Sequence, residues 1–506
     1  MNWDDIIYLT LLISSIAIGP VFRSFKNGKE MFAAAVGSLM IILVSGFHAA
    51  HPLLATVFTI VLLKFCPKSH IHIVSFIGLF SYLLFFRLCH FFGLPGAPPH
   101  TNAIQMILTL KLVGICFEVH DTWVKKKKLK VTESDEEKQQ VKLELKYEEV
   151  NPSGIDVFYY AFNYIGVLTG PYYRFRTYQD MIHFPSEKEN PDFLAATLHR
   201  VRYVPLYAFM FLLSSHFFPL SFAESREIFT DYSFLYRVFF MTPIFFTFRM
   251  RIYTGFVLSE CICIMAGLGA YPVRAKNRPG KGPSNYQELE KSTKSEEYDF
   301  EAVHNIDEWG SDFTPTVREG MKCWNMTVQY WLAFNVYKRL KFSKAVKEAI
   351  TMFTSAFWHG VYAGYYLSML TVPFILAVED FYERIIRRKL SPTGQKIYDF
   401  ITWIIKMQQF AYMGMAFLLL RIDTTIHYWR SIGFIYHGLI VFMHAIGPAK
   451  KKLEKARNTS VVGDVKVQFV RHSGKGESMK EKKITEGDVI DITNIVDDDP
   501  RTKKNN

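Results

Sequence analysis

Paired CxxC spacing is missing from this chain. Its six cysteines, Cys66, Cys89, Cys116, Cys261, Cys263 and Cys323, lie in or beside apolar runs, so neither a disulfide framework nor a metal site of the zinc kind is indicated. Histidine boxes are also lacking: His48 and His51 give one HxxH and His70 and His72 one HxH, too thin a supply for a di-iron centre. No repeat of fixed period is visible, although many transporters are built from such repeats. The N-terminus has no positive n-region. Asp4 and Asp5 precede Ile6, so the first apolar segment is expected to be retained as a span. A net charge of +12 does not point to nucleic acid, because Lys and Arg form short clusters between apolar runs instead of covering one face.

What is present is apolar length. Half of the 506 residues are hydrophobic and 45 are Phe, gathered in runs of roughly 15 to 30 residues, which reads as an all-α polytopic membrane protein. The run Ala349–Val378 contains no Lys, Arg, Asp or Glu and carries His359 near its middle. It is predicted to cross the bilayer as one span, which puts an imidazole at membrane depth and makes it a functional candidate. The plain alternative is a histidine that only hydrogen-bonds a neighbouring helix. The upstream Trp324-Asn325-Met326-Thr327 favours the functional reading, since the interval from 325 to 359 has room for two helices and a short turn.

Along the chain, runs are predicted as spans at Ile6–Phe22, at Met31–Phe65 with a break at Gly46–Pro52, at Ile71–Phe92 and at Ile104–Val119. Basic clusters at Arg23–Lys29, Lys64–Lys68 and Lys125–Lys128 agree on a lumenal N-terminus. The mixed-charge stretch of about 124–152 reads as a solvated cytosolic loop. Val157–Gly170 is short and reads as re-entrant or interfacial. Further runs are Val204–Phe222, Phe234–Phe248 and Phe256–Tyr271, the last two punctuated by Arg249 and Arg251. A polar insert covers about 274–316, and Ile397–Leu420 and Tyr428–Ile446 close the membrane part. Residues 448–506 read as a disordered cytosolic tail ending in Lys503-Lys504-Asn505-Asn506, which resembles the dilysine retrieval signal of endoplasmic-reticulum membrane proteins. A lumenal start and a cytosolic end require an odd number of crossings, about eleven.

Asn325 and Gln329 are predicted to share a helix face at i, i+4. A neutral His359 can take a proton from an alcohol, and an Asn325 amide can hold that hydroxyl or donate to a developing oxyanion. That pair suffices for acyl transfer to an alcohol without a metal. Arg174 and Arg176, set among aromatic rings, read as an ordinary interfacial anchor or as a phosphate clasp. Lys338 and Arg339 are further candidates for headgroup contact, with plain positive-inside charges as the alternative.

Ser355-Ala356-Phe357-Trp358-His359-Gly360, with Gly364-Tyr365-Tyr366-Leu367-Ser368 and the upstream Trp324-Asn325-Met326-Thr327-Val328-Gln329, resembles the signature of the membrane-bound O-acyltransferase family. Thr169-Gly170-Pro171-Tyr172-Tyr173-Arg174-Phe175-Arg176-Thr177-Tyr178, Asn305-Ile306-Asp307 and Leu390-Ser391-Pro392-Thr393-Gly394-Gln395-Lys396 resemble its lysophosphatidylinositol branch. The resemblance covers residues 1–447 and implies helices around a substrate tunnel. It also implies acyl-CoA as co-substrate with no resident cofactor, lysophosphatidylinositol as acceptor, a preference for polyunsaturated acyl chains, and His359 and Asn325 as catalytic. Arg174, Arg176 and Trp358 are the candidate substrate contacts. The alternatives are the same chemistry on another lysophospholipid, or a membrane scaffold without turnover. The lipid bilayer is the one other partner expected, and the sequence names no protein partner.

Overall fold

A computed structural model describes residues 3–184, 191–292 and 296–447. The expected tail at 448–506, with Lys503 and Lys504, lies outside the described residues. Regular structure is almost wholly helical. The first half of the chain gives α1 (Trp3–Ser24), α2 (Lys29–Ser45), α3 (Ala50–Phe65), α4 (Ile71–Leu88), α5 (Pro99–Val131), α6 (Asp135–Glu148), α7 (Gly154–Ala161) and α8 (Phe175–Ile182). Next come α9 (Phe193–Val201), α10 (Val204–Phe217), α11 (Arg226–Thr230), α12 (Phe234–Ala266) and α13 (Tyr286–Glu290). The remainder is α14 (Glu308–Phe313), α15 (Val317–Lys322), α16 (Met326–Asn335), α17 (Lys344–His359), α18 (Ala363–Ile385), α19 (Pro392–Leu419), α20 (Ile422–Ser431) and α21 (Ile435–Gly447). One short antiparallel pair, Tyr271–Pro272 with Tyr298–Asp299, ties the two ends of the polar insert together.

Among the described residues, five helical stretches are long and apolar enough to cross a membrane: Asp5–Ser24, Lys29–Phe65, Ile71–Phe92, Pro99–Val131 and Phe193–Glu224. The chain is therefore a multi-pass membrane protein. In the apolar window of α5, 83% of residues are buried, against 6% in Phe193–Glu224. The first is thus the axis of the bundle, while the second turns its apolar surface outward, as lipid contact requires. Around α5 pack α3, α4, α6 and α16, and around α12 pack α1, α9, α10 and α19. Two large cores result, one centred on α4, α5 and residues 157–181, the other on α12, α19 and α20.

Several sequence-based expectations are corrected. The run 349–378 is not one helix, because α17 stops at His359 and α18 starts at Ala363. Phe234–Phe248 and Phe256–Tyr271 are not two spans. They merge in α12, since arginine is a good helix former and Arg249 is neutralised inside the fold by Asp312. The final run is broken between α20 and α21. The stretch expected as a solvated loop contains α6, whose Val141 and Leu145 are buried against the bundle. Of the stretch read as re-entrant or interfacial, the first part lies in α7 and residues 162–174 are irregular yet almost entirely buried, so protein groups supply the hydrogen-bond partners of that backbone.

That buried loop presses on α2. The Tyr164 amide donates to the Ala33 carbonyl at 3.1 Å, and a Cβ on Gly37 would lie 1.9 Å from the Phe162 carbonyl oxygen. Gly37→Val is expected to cost about 1–3 kcal/mol by overpacking, read as a lower Tm in detergent. Gly96→Ala, with open space around the added carbon, is expected to stay within about 0.5 kcal/mol of wild type.

Candidate active site

The last helical bond of α17 runs from the Gly360 amide to the Ala356 carbonyl at 3.0 Å. Gly360 is extended, and a Cβ there would meet the Tyr365 ring at 2.4 Å, so only glycine lets that ring close over the helix end. The first turn of α18 is pinned in turn: the Gly364 amide donates to the Leu420 carbonyl at 2.7 Å. His359 is therefore a helix-terminal residue at a sharp break. Its ring lies edge-on to Phe417, with centroids 5.0 Å apart, and 5.8 Å from Tyr365. Trp358 packs beside it, with ring centroids 4.7 Å apart. It is buried and its indole N–H donates to the Met106 carbonyl at 2.9 Å, which locks α17 to α5 and makes Trp358 a support for its neighbour.

Asn325 does not sit on a helix face. It precedes α16 in the left-handed region, with φ 49° and ψ 49°, a conformation that asparagine tolerates better than most residues. Gln329 turns back to donate to the Met321 and Trp324 carbonyls, closing the turn before Asn325 instead of sharing a stripe with it. The residues after Asn325 are held from outside. The Met326 amide donates to the Asn305 carbonyl at 2.7 Å, and the Thr327 hydroxyl donates to Asn305 Oδ1 at 2.7 Å. Asn305 and Ile306 are fixed by Glu260 of α12, whose Oε1 accepts both amides at 2.8 and 3.0 Å. The Tyr172 amide donates to Thr327 Oγ1 at 3.2 Å. Three motifs far apart in the chain thus meet at one threonine.

Trp324 and His359 approach a common pair of rings. Trp324 stacks on Phe248 at 6.2 Å, Phe248 meets Phe417 at 5.7 Å, and Phe417 meets His359. Trp324, Asn325, Phe248, Phe417 and His359 are all half-buried, although they lie at the seam between the two cores.

The basic candidates divide. Arg174, Lys338 and Arg339 line one cavity of about 270 Å³ together with Lys125, Glu118, Asp121 and Glu148, at the end of α5 marked by the lysine cluster. Arg176 is paired with Asp180 at 2.9 Å and is not among the cavity residues. Arg174 is buried between Glu118 at 3.4 Å and Glu148 at 3.7 Å, and Arg339 holds Asp121 at 2.7 Å. Glu118 also accepts the Phe175 and Arg176 amides that open α8. Glu148 receives Lys125 and Tyr286 as well. Burial by itself would raise its pKa, but Arg174 and then Lys125 outweigh that and hold it down to about 2.

Sequence reading missed Glu260 and Asp312. Asp312 takes Arg249 and the Tyr253 hydroxyl on its side chain, and its backbone carbonyl accepts from Trp403 at 2.7 Å and Lys406 at 3.0 Å. The signal available was the presence of single charges inside apolar runs, each of which needs a partner. Among the described residues no cluster of His, Cys, Asp and Glu could hold a metal ion.

The membrane-bound O-acyltransferase family model matches residues 100–421. Among curated relatives, the membrane-bound acylglycerophosphatidylinositol O-acyltransferase of Mus musculus is 40% identical over 472 residues, 91% of this chain and 98% of its own length. The proteins of the same name from Xenopus laevis and Homo sapiens are 39% and 41% identical, covering 91% and 89% of this chain and 97% and 94% of their own.

Because the Glu148 pKa is depressed from its usual 4.5, its contribution to stability is present above about pH 4.5 and lost as pH falls through about 2. The full contribution is about 3 kcal/mol. Thermal unfolding in detergent should show Glu148→Gln below wild type at pH 7, with the gap closing across that acid window.

Proposed function

The chain belongs to the membrane-bound O-acyltransferase family, and we propose that within it the protein transfers a fatty acyl chain, preferentially polyunsaturated, from acyl-CoA to the sn-2 hydroxyl of lysophosphatidylinositol. In this reading His359 takes the hydroxyl proton as the lipid oxygen attacks the thioester carbon. Asn325 steadies the resulting oxyanion. Collapse of the tetrahedral intermediate breaks the C–S bond, the imidazolium returns its proton to the departing CoA sulfur, and phosphatidylinositol leaves into the bilayer. No covalent enzyme intermediate is needed.

Acyl-CoA enters from the cytosol, and its phosphates rest against Lys125, Lys338 and Arg339 in the cavity at the end of α5. The seam between the two cores is the tunnel that joins this entrance to the lipid, within a bundle of about eleven spans. The reading places this activity in the endoplasmic-reticulum membrane. The observation that carries the reading is the shared aromatic wall of Phe248 and Phe417, against which both Trp324, next to Asn325, and His359 are packed.

Purified protein supplied with labelled acyl-CoA and a panel of lysophospholipids tests it. His359→Ala is expected to keep its expression and lose transfer by about two to four orders of magnitude, the range for a lost general base. Near-normal turnover would end the proposal. Asn325→Gly keeps the left-handed backbone accessible while removing the amide, and is expected to lose about 2.7–4 kcal/mol of transition-state stabilisation. Equal activity on every headgroup would remove the inositol assignment and leave the chemistry.

A further inference from the structure

Arg87 lies on α4, inside one of the long apolar stretches, where an isolated charge is costly. Among the described residues no carboxylate pairs with it. Its partners are the carbonyl oxygens that end α17: Nη1 donates to Phe357 at 2.8 Å, and Nη2 donates to Trp358 and, at 3.1 Å, to His359. Its Nε donates to Asn102 Oδ1 at 3.0 Å. Carbonyls in the last turn of a helix have no amide ahead of them and carry the negative end of the helix dipole. The guanidinium therefore occupies the place of the turn that Gly360 and the break before Ala363 remove.

We propose that Arg87 is a positioning residue for acyl transfer, fixing the main chain of His359 so that its imidazole is presented at the seam. The proposal rests on the reading of His359 as the base. Two further clamps make the geometry specific. The Trp358 indole binds α5, and the Tyr366 hydroxyl donates to the Gly360 carbonyl at 3.1 Å. Both flank His359 but neither touches its own carbonyl, which Arg87 does. Without the guanidinium three adjacent carbonyls lose their donor in a water-poor site, and the end of α17 is free to unwind and carry the ring away from the substrate hydroxyl.

The test measures kcat and KM for both substrates on Arg87→Met, Arg87→Lys and His359→Ala, normalised to the monodisperse fraction in detergent. Arg87→Met is expected to lower kcat about 100-fold, the scale of a 1 Å misplacement, with KM for each substrate within about threefold of wild type. Arg87→Lys offers a point charge where the guanidinium is a planar fork, and is expected to recover part of that loss. A wild-type kcat in Arg87→Met, or a raised KM for lysophospholipid with kcat kept, overturns the inference. If Arg87→Met gives no folded protein, Arg87→Lys decides. A lowered kcat at unchanged KM supports the role, and a wild-type kcat overturns it. An active His359→Ala overturns the base and this inference together, whereas an inactive His359→Ala beside a fully active Arg87→Met overturns this inference alone.

Discussion

The candidate site depends on the hydrogen-bonded junction at Thr327. Its hydroxyl is fully used, donating to the Asn305 side chain and accepting from the Tyr172 amide, and the residue has no exposed surface. At that depth an unpaired polar group costs several kcal/mol, so the three strands of chain that meet there cannot separate independently. Glu260 extends the junction into α12 by taking two consecutive amides from 305 and 306 and the Arg200 guanidinium besides. The left-handed turn at Asn325 is thus held by groups that approach from both sides, which is how a strained backbone residue persists.

This junction explains the work of segments that carry no chemistry themselves. The polar insert at 274–316 reads as surface, yet its far end brackets Asn325 and, through Asp312, neutralises Arg249 with its carboxylate and accepts from Lys406 with its backbone carbonyl, on two packed helices. The irregular chain at 162–174 is buried with tyrosine hydroxyls on its carbonyls: Tyr160 donates to that of Tyr173 and Tyr173 to that of Ile165, both at 2.6 Å, while Lys111 donates at 2.6 Å to the Tyr160 carbonyl in the last turn of α7. In both places, polar groups taken out of solvent are paired within the protein and cost little. The aromatic seam between the cores needs no such pairing, and it is there that His359 and Asn325 keep accessible surface.

Composition and run length sufficed to determine an all-helical, multi-pass chain, because a bilayer requires apolar length and internal backbone pairing and little else. The same reasoning singled out His359 and Asn325 as candidates, since an imidazole in an uncharged run and an amide beside aromatic rings are local features. The tertiary structure alone decided where the helices stop. Gly360 ends α17 because Tyr365 packs where a side chain at that position would be, and Arg87 donates to the loose carbonyls, whereas Arg249 ends nothing because Asp312 comes from a distant insert. Hydropathy records whether a residue prefers water or lipid. It does not record which distant partner will satisfy a buried charge, and that partnership fixed the break at the histidine, the docking of α6 and the division of Arg174 from Arg176.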